Sequence, residues 1–146
     1  MDQSGDDLNM KIEQVGSNNQ ILLYNSDSKI TGDDVSIHLH QHNGSNTAAK
    51  NTIKLWHIYG NNNSIRWGQG AALNNSSDTT FSTDTDDSGG QYALIDIHGN
   101  RNSLAGYQMN AGNGAHTADI YIWGDDNSAW IRQKNNSSKN LDLLIK

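Results

Sequence analysis

The chain has 146 residues, a formal net charge of −6 and 34% hydrophobic residues, a low share for a packed globular core. It contains no Cys, which excludes disulfides and thiol chemistry. It also contains no Pro, which is typical of strands paired on both sides. The acidic balance argues against nucleic acid as a partner. No segment is apolar over a length that predicts a membrane-spanning helix.

In chain order, short runs of alternating apolar and polar residues predict strands. Five pairs of these runs flank a turn in which Gly or Asn is followed three residues later by Asn. We predict a single repeat domain over 1–146, with repeats at 8–30, 35–52, 53–73, 92–112 and 117–135 and a C-terminal half-repeat at 140–146. The turns run from Gly16 to Asn19, Asn43 to Asn46, Gly60 to Asn63, Gly99 to Asn102 and Gly124 to Asn127.

The predicted repeats are uneven in length. The first residues of successive turns are 27, 17, 39 and 25 positions apart. An interval of 17 residues hardly holds two strands and two turns. The interval of 39 contains a polar insertion at about 70–91, and an insertion of this kind can protrude from a solenoid without disturbing its core.

The alternation predicts which side chains share a face, because successive residues of a strand point to opposite sides. One face is expected to be mostly apolar, and we expect Trp67 to pack in this core as well. The face includes Ile12, Leu39, Trp56, Ile95 and Ile120, together with the amides Gln14, Gln41, Gln69, Gln108 and Gln133. The intervening residues, including Lys11, Glu13, His38, Asp96, Tyr121 and Arg132, are expected on the opposite face.

This pattern predicts an all-β fold, a β-solenoid of about five strand–turn–strand repeats. Stacking the repeats about 4.8 Å apart places like side chains above like, so the Asn and Gln residues are expected to form amide ladders. The last apolar segment, Leu141–Ile145, has no polar cap. An unprotected edge is a template for another chain, so we expect the repeats to stack end to end as cross-β.

The repeat resembles that of the curlins, the subunits of bacterial curli fibres, over most of 8–133. The first copy is similar to the curlin pattern through Gln14, Gly16 and Asn19, and the last three copies through their Gly, Asn and closing Gln. These copies depart from the pattern where Ile58, Ile97 and Ile122 stand in place of its first Gln.

The resemblance implies a structural subunit of an extracellular functional amyloid that serves in biofilm matrix and adhesion. The implied partners are copies of the chain itself, curli-type secretion and nucleation proteins, and matrix polysaccharide. A secreted location is implied as well. No secretion signal is visible in the first eight residues, so the expectation includes a signal removed before this sequence begins.

Two segments carry candidate metal ligands. His38, His40 and His42 alternate along one strand, and side chains two residues apart on one face can share Zn²⁺ or Cu²⁺. Asp84, Asp86 and Ser88 follow the start of a Ca²⁺ loop, but Ile95 stands where such a loop requires its last carboxylate. An exposed polar face and a solvated acidic loop are the respective alternatives.

The aromatic residues support an alternative function. Trp123, Trp130, Tyr107 and Tyr121 fall on the outward phase, where aromatic rings can stack on sugars or on a neighbouring fibril. Packing of these rings at an edge strand is the alternative. A soluble β-solenoid adhesin or carbohydrate-binding module is therefore the second hypothesis. We find no catalytic constellation, expect no cofactor, and expect that the chain is not an enzyme. A solenoid that cleaves polysaccharide is the weakest alternative.

Overall fold

A computed structural model describes residues 2–43, 50–78, 80–81, 90–110, 115–134 and 138–146. Every regular element in these ranges is a β-strand, so the all-β prediction is confirmed. None of the described residues belongs to a helix long and apolar enough to span a membrane. The strands are β1 (Asp2–Ser4), β2 (Asn9–Gly16), β3 (Asn19–Leu23), β4 (Lys29–Thr31), β5 (Ser36–Asn43), β6 (Asn51–Tyr59), β7 (Ser64–Gln69), β8 (Tyr92–His98), β9 (Ser103–Met109), β10 (His116–Trp123), β11 (Ser128–Lys134) and β12 (Lys139–Ile145).

The strands form two parallel sheets. The chain passes alternately between them, except that β3 and β4 follow one another in the same sheet. The five-stranded sheet has the order β11–β9–β7–β5–β2. The seven-stranded sheet has the order β1–β4–β6–β8–β10–β12, and β3 pairs with β6 in line with β4. Each strand beyond the first round therefore lies beside the strand from the previous round, as the in-phase sequence repeats predict.

The pairing register corrects the alignment of the first two repeats. Gly16 pairs with Asn43 at the corner where the chain leaves the five-stranded sheet. The turns that begin at Gly60, Gly99 and Gly124 lie at the opposite corner, where the chain enters that sheet. Both corners carry Gly and Asn, so the sequence motif alone does not distinguish them.

With the corrected register, the short interval disappears. The five Gln residues named above lie side by side in the five-stranded sheet, separated by 27, 28, 39 and 25 residues. The interval of 17 arose from measuring between two different corners. The interval of 39 remains, because it contains the insertion between β7 and β8.

Glycines with positive φ are stacked at the entry corner, which is the corner where the chain enters the five-stranded sheet. Gly32, Gly60 and Gly99 have φ of 143°, 107° and 127°, and a Cβ on each would collide with the carbonyl oxygen of the next glycine in the stack. Only glycine combines this backbone conformation with so close an approach. Gly5 and Gly32 open the two turns that the sequence alignment missed, because Leu8 and Val35 stand there in place of the Asn.

A single hydrophobic core lies between the two sheets. Ile37 and Leu39 of the five-stranded sheet pack in the same cluster as Ile53, Leu55 and Ile58 of the seven-stranded sheet. Trp67 is fully buried in this cluster, as predicted.

The described part of the insertion packs against the protein. Arg66 donates hydrogen bonds to the carbonyl oxygens of Ser76, Ser77 and Asp78. Leu73 is buried on the outer face of the five-stranded sheet together with Tyr107. The insertion has its own apolar residues, and this second cluster removes them from water.

Candidate functional site

A buried ladder of glutamine side chains runs across the five-stranded sheet. Gln14 Nε2 donates to Gln41 Oε1 at 2.8 Å, and the same bond repeats between each successive pair up to Gln133, at 2.8–2.9 Å. Gln41, Gln69 and Gln108 are fully buried. All four bonds have one direction, so within the ladder Gln14 only donates and Gln133 only accepts. The Gln133 Nε2 instead donates to the Thr117 and Lys139 carbonyl oxygens at 3.0 and 3.3 Å.

Four of the five glutamines, from Gln41 to Gln133, also connect the two sheets. The second Nε2 hydrogen of Gln69 is donated to the Thr52 carbonyl oxygen of the facing sheet at 3.0 Å, and Gln108 makes the equivalent bond to Tyr92 at 2.8 Å. A buried amide without partners costs about 1–3 kcal/mol. The ladder removes that cost for the buried glutamines, whereas Gln14 is exposed to water and the Gln133 Nε2 donates to backbone carbonyl oxygens.

A second ladder lies at the entry corner. Asn102 donates its backbone N–H to Asn63 Oδ1 at 2.9 Å, and Asn127 donates to Asn102 Oδ1 at 3.0 Å. The Asn63 Nδ2 donates to the Gly99 carbonyl oxygen at 2.8 Å. Asn19 belongs to the opposite corner, where its Nδ2 donates to the Val15 carbonyl oxygen at 2.7 Å.

A third column of hydrogen-bonded polar side chains, which was not predicted from the sequence, lies at that opposite corner. Asn51 Oδ1 accepts from the Gln91 backbone N–H at 3.2 Å, and Gln91 Oε1 accepts from the His116 backbone N–H at 3.0 Å. All three residues are fully buried. Each residue directly precedes or begins a strand of the seven-stranded sheet, so the correct phase of the repeats would have revealed the column.

One end of the stack is formed by β2 and β3. Each of these strands is paired on one side only within the described residues. Ile12 lies on the core-facing phase of β2, yet 45% of its surface is exposed because no strand covers it. Met10, Ile21 and Leu23 are only partly buried at the same end.

The other end is formed by β11 and β12, which also have one partner each within the described residues. A groove of about 570 Å³ opens between these strands. Apolar core residues and polar edge residues line it together, and they are Trp130, Ile131, Arg132, Gln133, Lys134, Lys139, Asn140, Leu141 and Leu143.

No match to a family model, to a curated protein or to a solved structure was found.

The predicted histidine site takes a different form. His38 Nε2 and His40 Nδ1 contact the same oxygen of Glu13, at 3.1 and 2.9 Å. The ligand atoms of His38, His40 and His42 do not all lie within 4.8 Å of one another. Salt-bridging to Lys11, followed by the contacts with His40 and His38, lowers the pKa of Glu13 to about 2. The two histidine rings also pack on Phe81, at 5.1 Å each.

Several candidate residues lie outside the described residues. They are Asn46 of the second turn and Asp84, Asp86 and Ser88 of the candidate Ca²⁺ loop.

An aromatic band lies on the outer face of the seven-stranded sheet. It is formed by the rings of Tyr24, Trp56, Tyr59, His98, Tyr121 and Trp123. Trp56 was predicted to point inward, but a bulge between Leu55 and Ile58 places it on the outer face. Tyr24 packs on the Trp56 ring at 4.9 Å, and Tyr121 contacts its other side at 6.5 Å. Further along, the Tyr59 and Trp123 rings lie 5.1 and 6.0 Å from the His98 ring.

Two of the aromatics predicted to be outward lie on the other sheet. Tyr107 is on the outer face of the five-stranded sheet but is buried beneath the insertion, and Trp130 packs against it with ring centroids 6.1 Å apart. These two rings are therefore less accessible than the aromatic band.

Proposed function

We propose that the chain is a β-solenoid that polymerises end to end as the subunit of an extracellular, curli-type structural fibre. The observation that carries this proposal is the matching of the two open ends, in hydrogen-bond direction, in apolar pattern and in charge. Unpaired strand edges favour association with another chain, and here the second copy offers the complementary edges.

The five-stranded sheet is proposed to continue from β11 of one copy to β2 of the next. If the strand alignment within one copy continues across the junction, Gln133 lies beside Gln14. The Gln133 Nε2, which donates to the Thr117 and Lys139 carbonyl oxygens within one copy, would then face the Gln14 Oε1 of the next. Ile131 would cover the exposed Ile12. On the outer face, the Arg132 guanidinium would lie beside the Glu13 carboxylate.

The seven-stranded sheet is proposed to continue from β12 to β3. If the strand alignment within one copy continues across this junction too, Leu141 would lie beside Ile21 and Leu143 beside Leu23. Burial of these apolar groups supplies the driving force, at about 25 cal/mol per Å² of apolar surface removed from water. The groove between β11 and β12 would be closed by the next copy.

The short strand β1 stands in the way of this junction. It pairs with β4 through Lys29–Thr31, which is the edge that Leu144–Lys146 of the neighbouring copy would occupy. If β1 moves aside, each copy contributes five layers of strands to both sheets, and the two sheets stay in step. Displacement of β1 is therefore part of the proposed assembly reaction.

Filament formation tests the proposal. Concentrated protein should polymerise after a lag that is shortened by preformed seeds, and helical reconstruction should show one subunit per about 24 Å, which is five layers of about 4.8 Å. Protein that sediments as a monomer after seeding at high concentration would contradict it, as would filaments with an unrelated axial rise.

The aromatic band favours a second candidate function, a carbohydrate-binding module or adhesin. Trp123 is 41% exposed, and aromatic faces near polar groups are suited to stacking on sugar rings. A glycan array compared with a Trp123→Ala variant tests this candidate. Loss of binding in the variant supports it, and an array without signal for the unaltered protein rejects it.

A further inference from the structure

The bulge in β6 adds one residue to the outer face of the seven-stranded sheet. Leu55 pairs with Ile95 and Ile58 with Ile97, so Trp56 and His57 together lie opposite Asp96. Bulges re-aim side chains and are frequent near functional sites. Here the extra residue brings the His57 ring to the Asp96 carboxylate, where a regular strand would have turned His57 into the core.

Three ligand-type side chains meet at this point. His98 Nε2 lies 3.1 Å and His57 Nδ1 lies 3.6 Å from Asp96 Oδ1. All three ligand atoms lie within 4.8 Å of one another, and this is the one such group of three among the described residues. Asp96 also accepts the His57 backbone N–H at 3.2 Å, which fixes the carboxylate in place.

Hydrogen bonding alone does not account for the arrangement. The His98 ring satisfies Asp96 Oδ1, but the 3.6 Å separation leaves the His57 ring nitrogen outside hydrogen-bond distance of it. The Asp96 side chain is only 4% exposed, and buried carboxylates in proteins are paired with a cationic group or coordinate a metal ion.

We propose that His57, Asp96 and His98 bind one divalent transition-metal ion of the Zn²⁺, Ni²⁺ or Cu²⁺ class. Two imidazoles and one carboxylate are a ligand set that these ions accept. With metal–ligand distances of about 2.0–2.1 Å, ligand atoms around a tetrahedral ion are separated by roughly 3.3 Å. The two separations from Asp96 Oδ1, 3.1 and 3.6 Å, bracket that value, and all three ligand atoms lie within 4.8 Å of one another, so side-chain rotations can complete the site.

The site has an open side and aromatic neighbours. The His98 side chain is 39% exposed and the His57 side chain 21%, so an ion enters from solvent and retains a position for water. The Trp56 ring lies 5.2 Å from the His57 ring, and the Trp123 ring lies 6.0 Å from the His98 ring. Ni²⁺ or Cu²⁺ bound here is expected to quench tryptophan fluorescence.

Titration of the whole protein with ZnCl₂ by calorimetry, and with NiCl₂ by fluorescence, tests the site. We expect one ion per chain, tryptophan quenching by Ni²⁺, and an affinity lowered at least about tenfold in both His98→Gln and Asp96→Asn. His40→Gln, on the other sheet, is the matched control and is expected to bind as the unaltered chain does.

Because the His98 side chain is exposed, we expect His98→Gln to fold, and it tests the site even if Asp96→Asn does not fold. Absence of binding by the unaltered chain overturns the proposal. Equal affinities of the unaltered chain and His98→Gln overturn it as well, and a larger loss in His40→Gln than in His98→Gln would move the site to the other sheet.

Discussion

Gln41 donates a side-chain hydrogen bond to Gln69 at 2.8 Å, and both residues are fully buried between the two sheets. The sequence places Gln41 before a turn and Gln69 after one, so the bond relates opposite sides of the apparent repeat. This bond therefore fixes which residues of successive repeats lie side by side. Every interior member of the ladder both donates to and accepts from another glutamine, which makes the interior positions more sensitive than the ends.

Replacing Gln108 with Leu is expected to destabilise the protein severely. The substitution leaves the Gln69 amide without its acceptor and Gln133 without its donor, at about 1–3 kcal/mol for each buried group left unpaired. Gln14→Leu is the matched control, because Gln14 has only one ladder neighbour and is exposed to water. Urea unfolding followed by tryptophan fluorescence measures both variants, and equal losses of stability would contradict the interior ladder.

The sequence predicted the strands, the amide ladders and most core-facing residues, because a period of two and recurrent Gln and Asn are local signals. It misassigned Gly16 and Asn43, because both corners of the stack accept the same turn residues. It also placed Trp56 in the core, because counting back from Gly60 with a period of two makes no allowance for the bulge between Leu55 and Ile58. The cluster of His57, Asp96 and His98 could not be predicted, because it depends on that bulge and on the pairing of β6 with β8, whose contacting residues His57 and Asp96 are 39 positions apart.

The glycine stack at the entry corner gives a second stability prediction. Gly60→Ala and Gly124→Ala both force a non-glycine residue to positive φ, since the two angles are 107° and 104°, at about 1–3 kcal/mol. Only at Gly60 does the added Cβ also collide with a neighbouring backbone carbonyl, which costs about 1–3 kcal/mol more. Thermal unfolding of the two variants should therefore differ, and equal destabilisation would argue against the close backbone stack.

Asp119 and Asp142 pair side by side on β10 and β12. Burial, and then repulsion from Asp142, raises the pKa of Asp119 above its usual 3.8. The folded state consequently holds the proton more tightly than the unfolded state, so this group lowers stability as pH rises from about 3.8 through the raised pKa. At pH 7 the penalty is fully present.

Asp119→Asn is therefore expected to stabilise the protein at pH 7 by roughly 0.2–1 kcal/mol, the range for cross-strand charge pairs. The gain should shrink as the pH falls below about 3.8. Asp142→Asn, at an exposed position, removes only the repulsion and should give a smaller gain. Chemical unfolding at pH 7 and pH 3 measures the difference, and a gain that is independent of pH would contradict the assignment.

The proposed junction makes Arg132 and Glu13 neighbours across two copies. Arg132→Glu would place two carboxylates together and is expected to slow seeded elongation at least about tenfold, since like charges at an interface are strongly unfavourable. Arg132 is exposed, so the stability of the monomer should not change. Adding Glu13→Arg should restore elongation. Failure of the double variant to recover, with intact folding, would argue against this register.

Displacement of β1 can be controlled with a disulfide. Asp2 and Lys29 are paired neighbours on β1 and β4, adjacent strands lie about 4.8 Å apart, and disulfides span Cα separations of about 4.4–6.8 Å. The chain has no other Cys, so Asp2→Cys with Lys29→Cys forms a single reversible lock. The oxidised protein should stay monomeric because β12 of a second copy cannot reach the edge of β4.

Reduction of the same sample should restore polymerisation, and a variant lacking residues 2–6 should show a shorter lag than the unaltered chain because no strand needs to be displaced. Leu8, which packs against the core, remains in that variant. Light scattering and electron microscopy follow all three proteins. If the oxidised and reduced forms polymerise at the same rate, β1 stays in place during assembly, and the junction must form elsewhere than between β12 and β3.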